Sequence, residues 1–218
     1  MPGATISVII VNYNTAALAL EAVESVLAHR HGGRDVEVHL VDNASPDGDA
    51  DLLKQAAMSR GWGDRVTLYP EETNHGFGRG NNLVLEQLAA RPAPPERVFF
   101  LNTDARLENE AIDILASFLE AHPRAGFAGA RIEKPGGIPV TAAFRFPNLA
   151  NEFAQAISFG PVSRLFDRWR VPLPPDLETA RVDWVSGAAF MARFDTLQKA
   201  GLFDPAYFLY FEEVDLMH

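Results

Sequence analysis

The sequence predicts an α/β fold: a Rossmann-like, mostly parallel sheet with helices on both faces, followed by a smaller mixed region. Three observations carry this reading. Strand-type and helix-type segments alternate from residue 6 to residue 131, the grammar of right-handed βαβ units. The strand-type segments are short, unbroken, β-branched apolar runs, as strands covered on both faces must be. Each run then gives way to polar or glycine-rich residues, along the edge where open parallel sheets bind ligands.

The elements follow in order. "ISVIIVN" (6–12) is the first strand. A helix capped by Asn14 comes next, with Leu20, Val23 and Leu27 at helical spacing until His31-Gly32-Gly33 breaks the pattern. "VEVHLV" (36–41) is the second strand and ends at Asp42. From about Asp49 a helix turns Leu52, Leu53, Ala56 and Ala57 inward and stops at Gly61. "VTLY" (66–69) is the third strand. "NHGFGRGNN" (74–82) is a glycine loop opening a helix that carries Val84, Leu85 and Leu88. After the turn "RPAPPE", "RVFFLN" (97–102) is the fourth strand. Ile112, Leu115 and Leu119 mark a helix ended by Pro123, and "GFAGAR" (126–131) is a fifth strand.

Beyond residue 131 the grammar changes. A hairpin turns around Pro135-Gly136-Gly137, residues 147–180 have no clean period, and "VDWVSGAAFMAR" (182–193) reads as a buried strand pair or strand–turn. The whole is one domain over 1–218, with a nucleotide-type half (1–131) and an irregular half (132–218). It ends at "FEEVDLMH" in mid-pattern, as if truncated there.

Composition narrows the function. With 218 residues the chain can build a real core, and 47% apolar with 22% charged residues is ordinary for a globular protein. A formal net charge of −10 disfavours a nucleic-acid binder. The absence of cysteine excludes disulfides, thiolate catalysis and cysteine metal sites. No run approaches a membrane span and the N-terminus lacks a basic signal region, so a cytoplasmic protein is expected. The six histidines show no metal spacing.

The strand ends collect the chemistry: Asn12-Tyr13-Asn14, Asp42-Asn43, the loop 74–82 and Asn102-Thr103-Asp104. Asp42 suits ribose hydroxyls or a base N–H, or equally a turn within "DNASPDG". The spacing of Gly76, Gly78 and Gly80 is not GxGxxG, and "NYNT" after the first strand lacks glycine, so a dinucleotide site is disfavoured. Asp104 suits a hard divalent ion completed by substrate phosphates, or alternatively a helix cap. In "YFLYFEEVDL" (207–216), Glu212, Glu213 and Asp215 follow a run of aromatics. Asp215 suits a helix start, whereas a carboxylate partly desolvated by aromatics suits a general base.

Taken together, "SVIIVNYN", "VDNASPDG", "NHGFGRGNN", "FFLNTDA", "VSGAAFMARFDTLQKAGLFD" and "FLYFEEVDL" resemble, in order and over nearly the whole chain, the family 2 glycosyltransferases. The likeness is to the bacterial branch containing rhamnosyl- and galactofuranosyl-transferases of cell-surface polysaccharides. The resemblance implies a GT-A fold, a nucleotide-sugar donor (dTDP-rhamnose or a UDP-sugar), Mg²⁺ or Mn²⁺, and transfer with inversion to a saccharide or lipid-linked acceptor. It implies a donor site of Asn12, Asn14, Asp42, Gly78, Arg79, Asn81, Asn102, Thr103 and Asp104, with Asp104 as metal carboxylate in the place of the DXD motif. Ser186, Gly187 and Ala188 fall on the acceptor side. Glu213 stands where the family carries its catalytic base, usually Asp, and Glu212 is oriented toward the acceptor.

Two rival readings accompany it. A nucleotidyltransferase would carry a basic glycine-rich loop where "NYNT" stands, and a catalytically silent glycan or nucleotide binder is the non-enzyme alternative. One segment predicts a peripheral membrane contact: "SRLFDRWRVPLPP" (163–175) interleaves Arg164, Arg168 and Arg170 with Leu165, Phe166 and Trp169. A buried segment with snorkelling arginines is the alternative.

Overall fold

The central sheet grows from β1 (Ile6–Asn12), which is buried at every position but Val11. The computed structural model describes residues 5–147 and 171–218. β2 (Val36–Asp42) and β4 (Arg97–Leu101) flank β1 as parallel neighbours, and β3 (Val66–Pro70) pairs parallel with β2. The remaining strands are β5 (Phe127–Gly129), β6 (Ile132–Lys134), β7 (Ile138–Val140), β8 (Ala143–Phe144), β9 (Trp184–Val185) and β10 (Ala189–Arg193). The main sheet has six strands in the order β3-β2-β1-β4-β10-β5. β10 lies antiparallel between β4 and β5. The expected strand pair at 182–193 is thus divided: β9 pairs with β8, and β10 completes the main sheet.

The period of two along β1 divides the core. Ile6, Val8 and Ile10 join one cluster with Ala19 and Val23 of α1 (Ala16–Ala28), Leu53 of α2 (Asp49–Ser59) and Ile112 of α4 (Ala111–Ala121). Ile9 joins another with Val41, Phe100 and the Val84, Leu85 and Leu88 stripe of α3 (Gly76–Ala89). Each such fully buried side chain contributes roughly 1.5–3 kcal/mol. Phe100 anchors the second cluster, stacked on Phe190 at 4.6 Å and edge-on to Phe203 at 5.5 Å.

The second half closes one end of this sheet. β6 and β7 form the expected hairpin, with Gly136 and Gly137 at φ 91 and 77 in its turn. Phe144 of β8 stacks on Trp184 of β9 at 4.1 Å. Two short helices follow, α5 (Phe194–Ala200) and α6 (Glu212–Leu216).

Three local expectations are corrected. Leu52 is 47% exposed, because a helix with one buried stripe cannot turn both Leu52 and Leu53 inward and α2 buries Leu53 and Ala56. Asn14 does not cap α1; it takes a left-handed φ of 55, and the amides of Thr15 and Ala16 are met by Asn12 Oδ1 and Asp49 Oδ2. "GFGRGNN" is not a loop but the first two turns of α3. The proposed membrane segment 163–175 lies outside the described residues except for 171–175. Among the described residues no helix is long and apolar enough to cross a membrane.

Candidate active site

The parallel strands present their C-terminal ends along one edge, and a polar network locks those ends together. Asn12, at the end of β1, is fully buried and donates through Nδ2 to Asp42 Oδ1 at 2.8 Å and Asp49 Oδ2 at 2.9 Å. Its Oδ1 accepts from the Thr15 hydroxyl at 2.9 Å, and that hydroxyl lies 3.0 Å from Thr103 Oγ1. The ends of β2, β1 and β4 are thereby tied in a row. The sequence predicts Asn12 at the donor; here its amide is engaged inside this network, against Asp42 and Asp49. Ser45 donates to the same Asp42 Oδ1 at 2.6 Å, while Asp42 Oδ2 takes no hydrogen bond from the described residues. One oxygen is thereby fixed by two donors.

Asn43 is pinned in the same way, and pins α3. It is 2% exposed, donates to Gly76 O at 3.1 Å and Asn74 Oδ1 at 3.0 Å, and accepts from the His75 amide at 2.9 Å. The glycines of α3 serve packing. A Cβ on Gly78 would stand 3.0 Å from Phe203 Cβ, and one on Gly80 would stand 3.1 Å from Val11 Cγ1. Asn81 is 1% exposed and its amide donates to the Phe77 carbonyl one turn earlier at 2.9 Å. Gly78 and Asn81, expected to meet the donor, therefore face the interior. Arg79 is only half-buried; its Nε donates to His75 O, and its terminal nitrogens have no partner among the described residues.

After β4 the chain turns outward. Asn102 donates its backbone N–H to Ala188 O at 2.9 Å, and its own carbonyl accepts from Ala105 at 3.1 Å. Asp104 is exposed and without a protein partner among the described residues. It does not cap the next helix, since α4 begins at Ala111 with Glu110 before it. Among the described residues no group of three or more His, Asp or Glu side chains is placed to hold a metal alone. One free carboxylate nevertheless suits Mg²⁺ or Mn²⁺, whose shell substrate phosphates and water commonly complete.

The acidic segment approaches from the other side. Glu213 accepts through Oε1 from the Gly187 N–H at 3.1 Å. A Cβ on Gly187 would lie 2.2 Å from that oxygen, so the Glu213 carboxylate could not keep this place beside any other residue. Through Gly187, Ala188 and Asn102 the Glu213 carboxylate is joined to the strand end that carries Asp104. Ser186 is half-buried in the same turn, and its hydroxyl accepts from the Ala188 amide at 3.3 Å. Burial pushes the Glu213 carboxyl above the usual carboxylate range, against the pull of the Gly187 N–H. Glu212 is 2% exposed, and its Oε2 is buried with no hydrogen-bond partner among the described residues. Burial, reinforced by the neighbouring Glu213 charge, pushes its carboxyl up as well. Asp215 is exposed in the first turn of α6, as a helix-start acid should be. His218 lies against the Phe146 ring, with centroids 4.8 Å apart.

The structure thus gathers Asp42, the Asn102–Asp104 turn, Ser186–Ala188 and Glu213 around one edge, and sets Asn12, Gly78 and Asn81 behind it. Sequence reasoning missed Asp49 and Asn43 as organisers. Asn43 carried a signal in following Asp42 at a strand end, whereas Asp49 looked like any first-turn acid.

Carboxylates and amides fixed along the C-terminal edge of a mostly parallel sheet place the chain among the open α/β folds, whose ligands bind at that edge. More particularly, the chain belongs to Glycosyl transferase family 2, whose sequence profile matches residues 7–166. It is 32% identical over 191 residues to the N-acetylglucosaminyl-diphospho-decaprenol L-rhamnosyltransferase of Mycobacterium tuberculosis, covering 84% of this chain and 60% of the relative. It is 24% identical over 201 residues to the rhamnosyltransferase WbbL of Escherichia coli, covering 85% of this chain and 72% of that protein. The chain therefore spans about 60% of the length of the mycobacterial relative. Among solved structures, S. aureus TarS 1-349 in complex with UDP superposes with a TM-score of 0.65 at 18% identity, over 98% of this chain and 54% of that TarS chain. The mannosyltransferase PcManGT of Pyrobaculum calidifontis, solved with GDP-Man and Mn²⁺, gives 0.60 at 18% identity, over 93% of this chain and 48% of its own. The fold is GT-A, and the rhamnosyltransferase-like branch of the family is the one these relatives mark.

Proposed function

We propose that this chain carries the catalytic machinery of an inverting glycosyltransferase that moves rhamnose from dTDP-rhamnose to a lipid-linked saccharide acceptor. The single observation that carries the reading is the Glu213 carboxylate, held by the Gly187 N–H and joined through Ala188–Asn102 to the turn bearing Asp104. A base and a diphosphate-facing carboxylate are thereby set on the same edge. The rhamnosyltransferase names of the relatives support the choice of sugar, and the first of them supports a lipid-linked acceptor.

In this reading Asp42 Oδ2 receives the nucleoside, with Asn14 and Tyr13 exposed beside it. Arg79, through its terminal nitrogens, and the exposed Asn102–Asp104 turn face the diphosphate. Asp104 would hold Mg²⁺ or Mn²⁺, and the ion would supply charge neutralisation for the departing diphosphate. Glu213 takes the proton of the acceptor hydroxyl as its oxygen bonds to the anomeric carbon. The bond from that carbon to the diphosphate oxygen breaks on the opposite face, which inverts the configuration. Glu212, beneath it, contributes a carboxyl whose protonated form burial favours. Ser186–Ala188 shape the acceptor side.

Calorimetric titration of dTDP and UDP, each with and without Mn²⁺, tests the donor half. dTDP is expected to bind more tightly than UDP, with Mn²⁺ required and the Mn²⁺-dependent binding lost in Asp104→Ala. Tighter UDP binding would overturn the choice of donor. Equal binding with and without metal in the unaltered protein would overturn the role of Asp104.

A further inference from the structure

We propose that Asn82 is a positioning residue that sets the Glu212–Glu213 segment from the face of α3; this rests on the reading of Glu213 as the base. Asn82 sits on α3, yet both ends of its amide are spent on one distant residue. Nδ2 donates to Phe203 O at 2.8 Å, and Oδ1 accepts from Phe203 N at 3.1 Å. A side-chain amide that satisfies both backbone groups of one residue fixes that residue's place and orientation, as a neighbouring strand would. Phe203 is fully buried, edge-on to Phe77 at 6.0 Å and Phe100 at 5.5 Å.

The same helix touches the segment twice more. The Phe77 N–H donates to Phe208 O at 3.1 Å, an approach open only because Gly76, at φ 77, lacks a Cβ that would lie 2.0 Å from that oxygen. At the far end a Cβ on Gly78 would stand 3.5 Å from Glu212 Cβ. α3 therefore reaches the segment at 203, 208 and 212. Between these points Phe208, Leu209, Tyr210 and Phe211 are all more than half exposed, and Tyr210 and Phe211 both take left-handed φ, 72 and 70, directly before Glu212. Non-glycine residues hold such angles only where surrounding contacts over-determine them. α3 holds the chain on either side of this pair, at Phe208 and at Glu212, and the start of α3 is itself pinned by Asn43 beside Asp42. The helix that borders the nucleotide side thus aims the base on the acceptor side.

The test compares Asn82→Ala and Asn82→Asp with the unaltered full chain. Amide exchange by NMR is followed at Phe203, at Gly187 and, as a control, at Ile9 in β1. kcat, KM and dTDP affinity are measured with dTDP-rhamnose and a short-chain prenyl-diphospho-N-acetylglucosamine acceptor. Asn82→Ala is expected to speed exchange at Phe203 and also at Gly187, which Asn82 does not touch but Glu213 does, with Ile9 unchanged. kcat should fall about tenfold or more with dTDP affinity retained, the mark of misplacement rather than lost binding. Asn82→Asp keeps the acceptor for the Phe203 N–H and should lie between. Faster exchange at Phe203 with Gly187 unchanged, or an unaltered kcat, would overturn the proposal. If Asn82→Ala does not fold, Asn82→Asp decides the same point through Gly187 exchange and kcat. Glu213→Gln separates the premise: full turnover in that variant refutes the base, while the exchange result still tests the positioning.

Discussion

Glu213 shows how a site strains its own residue. Burial raises its carboxyl affinity for protons, so the folded protein holds that proton at a pH where the unfolded chain has released it. Between the usual and the raised value the native state binds more protons, so stability falls as pH rises through that window. Above the raised value the carboxylate is charged and can act as base; below it, turnover falls. Glu213→Gln should therefore melt at a higher temperature than the unaltered protein at pH 7. It should lose about 100-fold to 10,000-fold in kcat while binding dTDP normally. Calorimetric melting together with steady-state kinetics checks both signs, and a variant that is less stable and equally active would contradict the assignment. The neighbouring Glu212, with one oxygen buried and unpartnered, is a second local cost. Sites that keep such groups commonly give up stability for function.

Elements are held by residues from other elements. α1 receives its N-terminal cap from Asp49, the first residue of α2, which accepts from the Ala16 amide at 3.0 Å and from Asn12 Nδ2 at 2.9 Å. Asp49→Ala should cost about 1 kcal/mol as a lost cap. It should also weaken dTDP binding, because Asn12 would no longer be fixed against Asp42. Urea unfolding gives the first effect and calorimetry the second; a stability loss with unchanged dTDP affinity would show that the network does not set Asp42. α3 makes the same point differently. Its glycines suit a phosphate loop in sequence, yet their missing side chains admit Val11, Phe203 and the Phe208 carbonyl. A glycine-rich stretch does not reveal whether a ligand or another piece of chain comes close.

Across the whole molecule, net charge and pH act through a second buried cluster away from the strand ends. His39 is fully buried between Glu37 Oε1, 3.2 Å from its Nε2, and the Tyr69 hydroxyl, 2.9 Å from its Nδ1. Burial alone would raise the Glu37 carboxyl, but hydrogen bonds from His39, Ser7 and Arg91 outweigh it and hold the group down at about 2. A carboxylate depressed in the folded state contributes stability above its ordinary range and loses it as pH falls toward the depressed value. Stability should therefore decline as the pH falls from about 4.5 toward 2, and Glu37→Gln should flatten that decline. Urea midpoints measured across this range check it; an unchanged slope in the variant would place the acid sensitivity elsewhere.

The sequence by itself determined the alternating half of the fold, the polar strand ends and the family. Unbroken β-branched runs and helical spacing are local properties, and motifs such as "FFLNTDA" and "FLYFEEVDL" keep their order along the chain. Only the tertiary structure decided that β10 enters antiparallel between β4 and β5, since that pairing joins residues far apart in sequence through backbone groups that any residue carries. It also decided which buried polar side chains are fully engaged. Asn12 and Asp42 are equally polar in sequence. One has both polar atoms of its side chain engaged within the protein, while the other keeps an oxygen open, and the difference lies in which neighbours fall within hydrogen-bond reach.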